Sequence, residues 1–115
     1  MEKPRVNIRR VPAAVIVELA GEHDLSTHGD VERALMEIAS GEACIIDLSS
    51  ATFIDSSILA VLVQATARDG ACASTIVVAP PDSAAARLFD ITGATTLVTV
   101  CSSLDEALDS VMISE

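Results

Sequence analysis

The sequence contains no tryptophan and no tyrosine, and phenylalanine only at Phe53 and Phe89. A core without large rings must be filled by Val, Leu, Ile and Ala, which suits helices packed on a β-sheet. Lysine is scarce too: Lys3 is the only one, and it sits in the N-terminal segment. That excludes a Schiff-base lysine and a phosphate-loop lysine, and neither GxxxxGK[ST] nor GxGxxG occurs. No apolar run approaches the roughly 20 residues that a membrane-spanning helix needs. The opening MEKPRVNIRR also lacks the apolar stretch of a secretory signal, so a cytoplasmic protein without a membrane contact is expected.

The three cysteines, Cys44, Cys72 and Cys101, are odd in number and form no CxxC pair. They read as small buried hydrophobes in a reducing compartment, and zinc is not expected. A redox link between Cys44 and Cys72 is the sharper alternative, since both fall near expected strand starts.

What the chain has in excess is negative charge, a formal −10 over 115 residues. Such a balance disfavours a sequence-independent grip on nucleic acid, which needs clustered Lys and Arg. Four of the seven basic residues, Lys3, Arg5, Arg9 and Arg10, crowd the first ten positions, too short a patch to reverse the whole. A protein or cationic surface is the expected partner.

Apolar periodicity divides the chain into alternating strands and helices. Val6 and Ile8 alternate with charged neighbours as in a half-exposed edge strand. Val15-Ile16-Val17 with Leu19 form a β-branched run closed by Ala20-Gly21-Glu22. Thr27 offers an N-cap, with Asp30 reaching back as an imperfect capping box. Val31, Ala34, Leu35 and Ile38 follow at helical spacing up to Gly41. Cys44-Ile45-Ile46 with Leu48 read as a strand buried on both faces. Asp55-Ser56-Ser57 opens a helix that buries Leu59, Leu62 and Val63, with Gly70 beyond its end. Ile76-Val77-Val78 is a further strand, stopped by Pro80-Pro81. A helix from Asp82 or Ser83 runs through Leu88 and Phe89 to Gly93. Leu97-Val98-Thr99-Val100 is the last strand, and Ser103 with Glu106 caps a final helix carrying Leu104, Leu108 and Val111 on one face. This order predicts one α/β domain over residues 1–115, a mostly parallel sheet of about five strands with about four helices.

No catalytic site and no cofactor site is visible. Asp47 ends a buried strand as a receiver-domain aspartate does, but the acidic pair and the late lysine of that fold are absent. His23 and His28 flank Asp24 on what reads as an exposed loop; without further ligands they are expected to be solvated rather than to hold a metal. The notable stretch is IIDLSSATFIDSS, residues 45–57, in which a buried strand leads through a loop to a helix N-terminus. Ser56 or Ser57 would cap that helix. A hydroxyl there is open to a kinase, and a phosphate would meet the helix dipole and free N–H groups. It would also add about −1.5 to −2 charges beside Asp55.

This stretch resembles the signature of STAS domains, found in bacterial anti-sigma factor antagonists and at the cytoplasmic end of sulfate transporters. Gly21-Glu22-His23-Asp24 before Thr27 resembles the family's G-E-x-D loop. Leu88-Phe89-Asp90-Ile91-Thr92-Gly93, with Ser103 to Leu108, resembles its C-terminal third. The resemblance implies a STAS-like fold and a non-enzymatic switch. The unphosphorylated protein would bind an anti-sigma factor, usually an ATP-using serine kinase, and free a sigma factor. The kinase would phosphorylate Ser56, and a serine phosphatase would reverse the step. Asp24, Asp55, Ser57 and Ile58 would border the partner surface. The family commonly continues D-S-[ST]-G-L-G, whereas Ile58 and Ala60 replace both glycines here. Bulk at Ile58 could hinder docking of the kinase, or it could simply pack on the sheet. The alternative function is a constitutive scaffold domain in a signalling assembly, not phosphorylated; a ligand sensor at the same end of the sheet is a third option.

Overall fold

The computed structural model describes residues 3–38, 42–67 and 75–113. Six strands and four α-helices follow one another as β1 (Arg5–Val11), β2 (Ala14–His23), α1 (His28–Met36), β3 (Cys44–Asp47), β4 (Ala51–Ile54), α2 (Ser56–Ala67), β5 (Thr75–Val78), α3 (Ala84–Thr92), β6 (Thr99–Cys101) and α4 (Leu104–Ile113). Short 3-10 turns occupy Leu25–Thr27 and Ala94–Thr96. The sheet order is β1-β2-β3-β5-β6, with β4 paired to β2 outside that row. Only β1 runs antiparallel to its neighbour; β2–β3, β2–β4, β3–β5 and β5–β6 are all parallel.

The alternation of side chains along a strand divides the core into two layers. Val15, Val17 and Leu19 of β2, Cys44 and Ile46 of β3 and Val77 of β5 face α1, α2 and α3. Ala14, Ile16, Ile45, Ile76 and Val78 face the other way and meet Ala107 and Val111 of α4. Phe89 lies at 0% exposure in the larger layer, so the one buried phenyl ring among the described residues belongs to α3. Val31, Ala34, Leu35 and Ile38 are all buried, as their helical spacing predicts; Leu59 and Leu62 are buried, while Val63 is half-buried.

α3 has the start and stop that its sequence predicts. Ser83 Oγ accepts from Ala86 N, and Gly93 closes the helix at φ 74, a left-handed conformation that costs glycine least. At α4, Ser103 Oγ accepts from Glu106 N at 3.1 Å, but the Glu106 carboxylate returns to Ser102 N (2.8 Å) rather than to Ser103.

Several boundaries differ from the sequence expectation. β2 does not close at Gly21. That residue takes φ 82, the register shifts between Gly21 and Glu22, and the strand continues to His23 alongside β4. β4 itself falls in the stretch read as a loop. The last strand begins at Thr99 instead of Leu97, which is 65% exposed after a 3-10 turn. Thr27 holds the N-cap position of α1 without a side-chain capping bond, and Asp30 pairs with Arg33 instead of reaching back. Gly41, Gly70 and Cys72 lie outside the described residues, and with Cys72 the suggested link to Cys44; Cys44 is buried at the first position of β3.

Candidate functional site

The C-terminal ends of β2 and β4 deliver two short turns to the same end of the sheet. Each is an Asp-x-Ser turn. In the first, Asp24 Oδ1 accepts from Ser26 N at 2.9 Å and from Ser26 Oγ at 2.6 Å. In the second, Asp55 Oδ1 accepts from Ser57 N at 3.0 Å and Ser57 Oγ at 2.6 Å. Such Asx turns arise because a short carboxylate reaches the backbone two residues on.

Asp55, rather than Ser56 or Ser57, caps α2. Its carbonyl takes the first helical bond, from Leu59 N at 3.1 Å, and its carboxylate also accepts from Ile58 N at 3.2 Å. A carboxylate offers about four acceptor sites on two oxygens, against two on a serine hydroxyl. The Leu25 N–H, from the first turn, lies near the same carboxylate and helps to lower its pKa, so the two turns adjoin. Partial burial pushes the Asp55 pKa up. The bonds from the Ser57 hydroxyl and the Ile58 and Ser57 N–H groups, with the nearby Leu25 N–H, outweigh it and hold the pKa below its usual 3.8.

Ser56 is the first residue of α2, exposed and directly beside that carboxylate. A phosphate on it would find the Ser57 and Ile58 N–H groups already taken by Asp55, contrary to the expectation of free donors. On its other side runs an open, mainly apolar groove of about 330 Å³, in which Ser56, Ala60 and Gln64 face Thr92, Ala94 and Leu97.

Among the residues expected at a partner surface, the structure brings Asp24, Asp55, Ser56 and Ser57 together; Asp24 is exposed and Asp55 and Ser57 are half-buried. Ile58 is not among them. Its side chain is at 0% exposure inside the larger core layer, because the third residue of α2 turns toward the sheet.

His23 is the residue that the sequence reading placed wrongly. It is not an exposed loop residue but the last residue of β2, at 0% exposure. Its Nε2 lies 2.9 Å from Ala20 O and 3.2 Å from Arg5 O. Carbonyls only accept, so Nε2 carries a proton. Its Nδ1 lies 3.0 Å from Thr27 Oγ1, which is 3.2 Å from Asp24 O. Both ring nitrogens are engaged, so His23 and Asp24 do not present a joint metal site. The alternation of β2 continued past Gly21 was the available signal. Among the described residues, no group of three His, Cys, Asp or Glu is placed to hold a metal ion, and no helix is long and apolar enough to cross a membrane.

No curated protein matches the chain in sequence. A family model described as Mlab, STAS domain matches residues 6–99. Among solved structures, an anti-sigma factor antagonist from Mycobacterium paratuberculosis superposes with a TM-score of 0.80 at 23% identity, covering 96% of this chain and 95% of that one. The anti-sigma factor antagonist SpoIIAA in its unphosphorylated form gives 0.66 at 15% identity, covering 96% and 100%. The Bacillus cell fate determinant SpoIIAA in its phosphorylated form gives 0.59 at 20% identity, covering 93% and 99%. At these identities the likeness establishes the fold.

Proposed function

The chain belongs to the STAS domain family, and from that premise we propose that it is an anti-sigma factor antagonist switched by phosphorylation of Ser56. In this reading it is a binding protein and not an enzyme. The unphosphorylated form occupies an anti-sigma factor with serine kinase activity and so releases a sigma factor; a serine phosphatase regenerates it.

The observation that carries the reading is the setting of Ser56, an exposed hydroxyl between the Asp55 carboxylate and an apolar groove. A partner lying across this end of the domain would cover the hydroxyl while burying the groove. Adding about −1.5 to −2 charges there places a second anion beside Asp55, whose carboxylate already holds the nearby helix donors. The new charge finds these helix donors occupied, and the interface has to desolvate it. Docking is lost while the helix survives. Ile58 adds no bulk to this surface, since its side chain lies in the core. The solved structures with this fold include an anti-sigma factor antagonist recorded in both unphosphorylated and phosphorylated forms, which supports the same reading.

The test is incubation with anti-sigma serine kinases and ATP, followed by intact mass and site mapping. A single phosphate on Ser56, absent in Ser56→Ala, is expected. Ser56→Asp is expected to lose binding to the same kinase. Binding by Ser56→Asp equal to that of the original protein overturns the switch.

A further inference from the structure

We propose that His23 is a positioning residue for the partner-facing surface: its buried imidazole fixes the Asp24–Thr27 turn against the start of α2. The role of that surface rests on the function proposed above, whereas the positioning itself does not.

The imidazole touches three separate pieces of the chain. Nε2 faces the Arg5 carbonyl of edge strand β1 and the Ala20 carbonyl of β2, next to the break in the ladder at Gly21. Nδ1 faces the Thr27 hydroxyl at the foot of the turn. From Thr27 the connection runs on to Asp24, through Thr27 N to Asp24 O at 3.0 Å and Thr27 Oγ1 to the same oxygen at 3.2 Å. The turn so anchored presents Leu25 outward at 72% exposure, and the pairing of His23 with Ile54 sets it beside Asp55, with the Leu25 N–H near that carboxylate and next to Ser56. An exposed leucine and the Asp24 carboxylate are thus held at a set place relative to the phosphoacceptor. The Asp24–Ser26 bonds close the turn on itself and the short β4 ladder holds its strand, but an apolar residue at position 23 would leave the Thr27 hydroxyl and two carbonyls without this partner. Histidine suits the place because it can engage groups on opposite sides of one flat ring. It works through the turn and touches no reacting atom.

Two variants test this, His23→Leu and the near-isosteric Thr27→Val, with amide NMR as the first readout. In the original protein the Leu25, Ser57 and Ile58 amide signals should all move as Asp55 titrates. In either variant that remains folded by circular dichroism, Ser57 and Ile58 should still follow Asp55. Leu25 should cease to follow, and its amide should exchange at least roughly tenfold faster. Leu25 following Asp55 unchanged in folded Thr27→Val overturns the proposal. The second readout is phosphate transfer from a kinase that accepts the original protein. There KM should rise on the order of tenfold with kcat nearly unchanged, because docking is impaired and the serine is not. Unchanged KM also counts against the proposal. If no kinase acts on the original protein, the function proposed above fails, and the amide readout decides the positioning role alone.

Discussion

Asp55→Ala removes one carboxylate that serves two helix N–H groups and one hydroxyl and lies near the Leu25 N–H. Loss of an N-cap of this kind costs about 1–2 kcal/mol. The value should lie in the upper half of that range, because the loosened first turn contains Ile58, a core residue at 0% exposure. With an unfolding entropy of about 2.1 cal/mol/K per residue, a chain of this length loses roughly 4 °C in Tm per kcal/mol, so a fall of about 6 °C is expected. Asp55→Asn keeps an accepting oxygen and should recover most of this, remaining about 0.3–1 kcal/mol below the original through loss of charge at the helix N-terminus. The pH dependence has a definite sign. The folded pKa of Asp55 lies below the unfolded value, so its contribution is complete above the usual 3.8 and is lost as pH falls through the folded value. The gap between original and Asp55→Asn should therefore be constant near neutrality and narrow in acid. Urea unfolding at a series of pH values measures it. An Asp55→Ala loss below about 0.3 kcal/mol, or a gap to Asp55→Asn that does not narrow in acid, refutes the capping argument.

Three further outcomes follow from the same geometry. Ile58→Ala should cost about 2–5 kcal/mol in urea unfolding, since it empties a fully buried site; substitution toward the glycine usual in the family is destabilising here and opens no surface. Gly93→Ala should lower stability by about 1 kcal/mol in thermal unfolding. An added Cβ there meets nothing within 4 Å, so the loss comes wholly from the left-handed backbone at φ 74. Leu97→Asp, at the lip of the groove and 65% exposed, should change stability by less than about 0.5 kcal/mol. In a pull-down or calorimetric titration it should nevertheless weaken binding to the kinase partner proposed above.

The alternation of strands and helices was legible because β3 and β5 are short apolar runs and α1 spaces its buried residues at helical intervals. The caps of α3 were legible because Ser83 and Gly93 stand at its two ends. β4 was not, since four residues with the pattern buried, exposed, exposed, buried carry no strand period; a ladder partner fourth in sequence and outside the main row cannot be read locally. His23 was hidden by Gly21, which reads as a strand terminator yet marks a bulge inside β2. The cap of α2 was ambiguous because Asp55, Ser56 and Ser57 are all competent, and three-dimensional reach decided among them. The cluster of Asp24, Asp55, Ser56 and Ser57 was expected from resemblance; the pairing of His23 with Ile54 that sets the two turns side by side was visible only in the fold.

On the edge away from β1, β2 is shared by two partners, β3 beside Val15–Glu18 and β4 beside Gly21–His23, and the register change falls inside the second ladder, between Gly21 and Glu22. The lower ladder is continuous with three further strands and lies between two layers of apolar side chains; the upper one is a few residues long and ends at the two turns. Local opening should therefore divide at Gly21. The end that carries Ser56 should open at lower cost than the sheet below it, so a kinase of the kind proposed would reach the first turn of α2 without unfolding the domain that presents it.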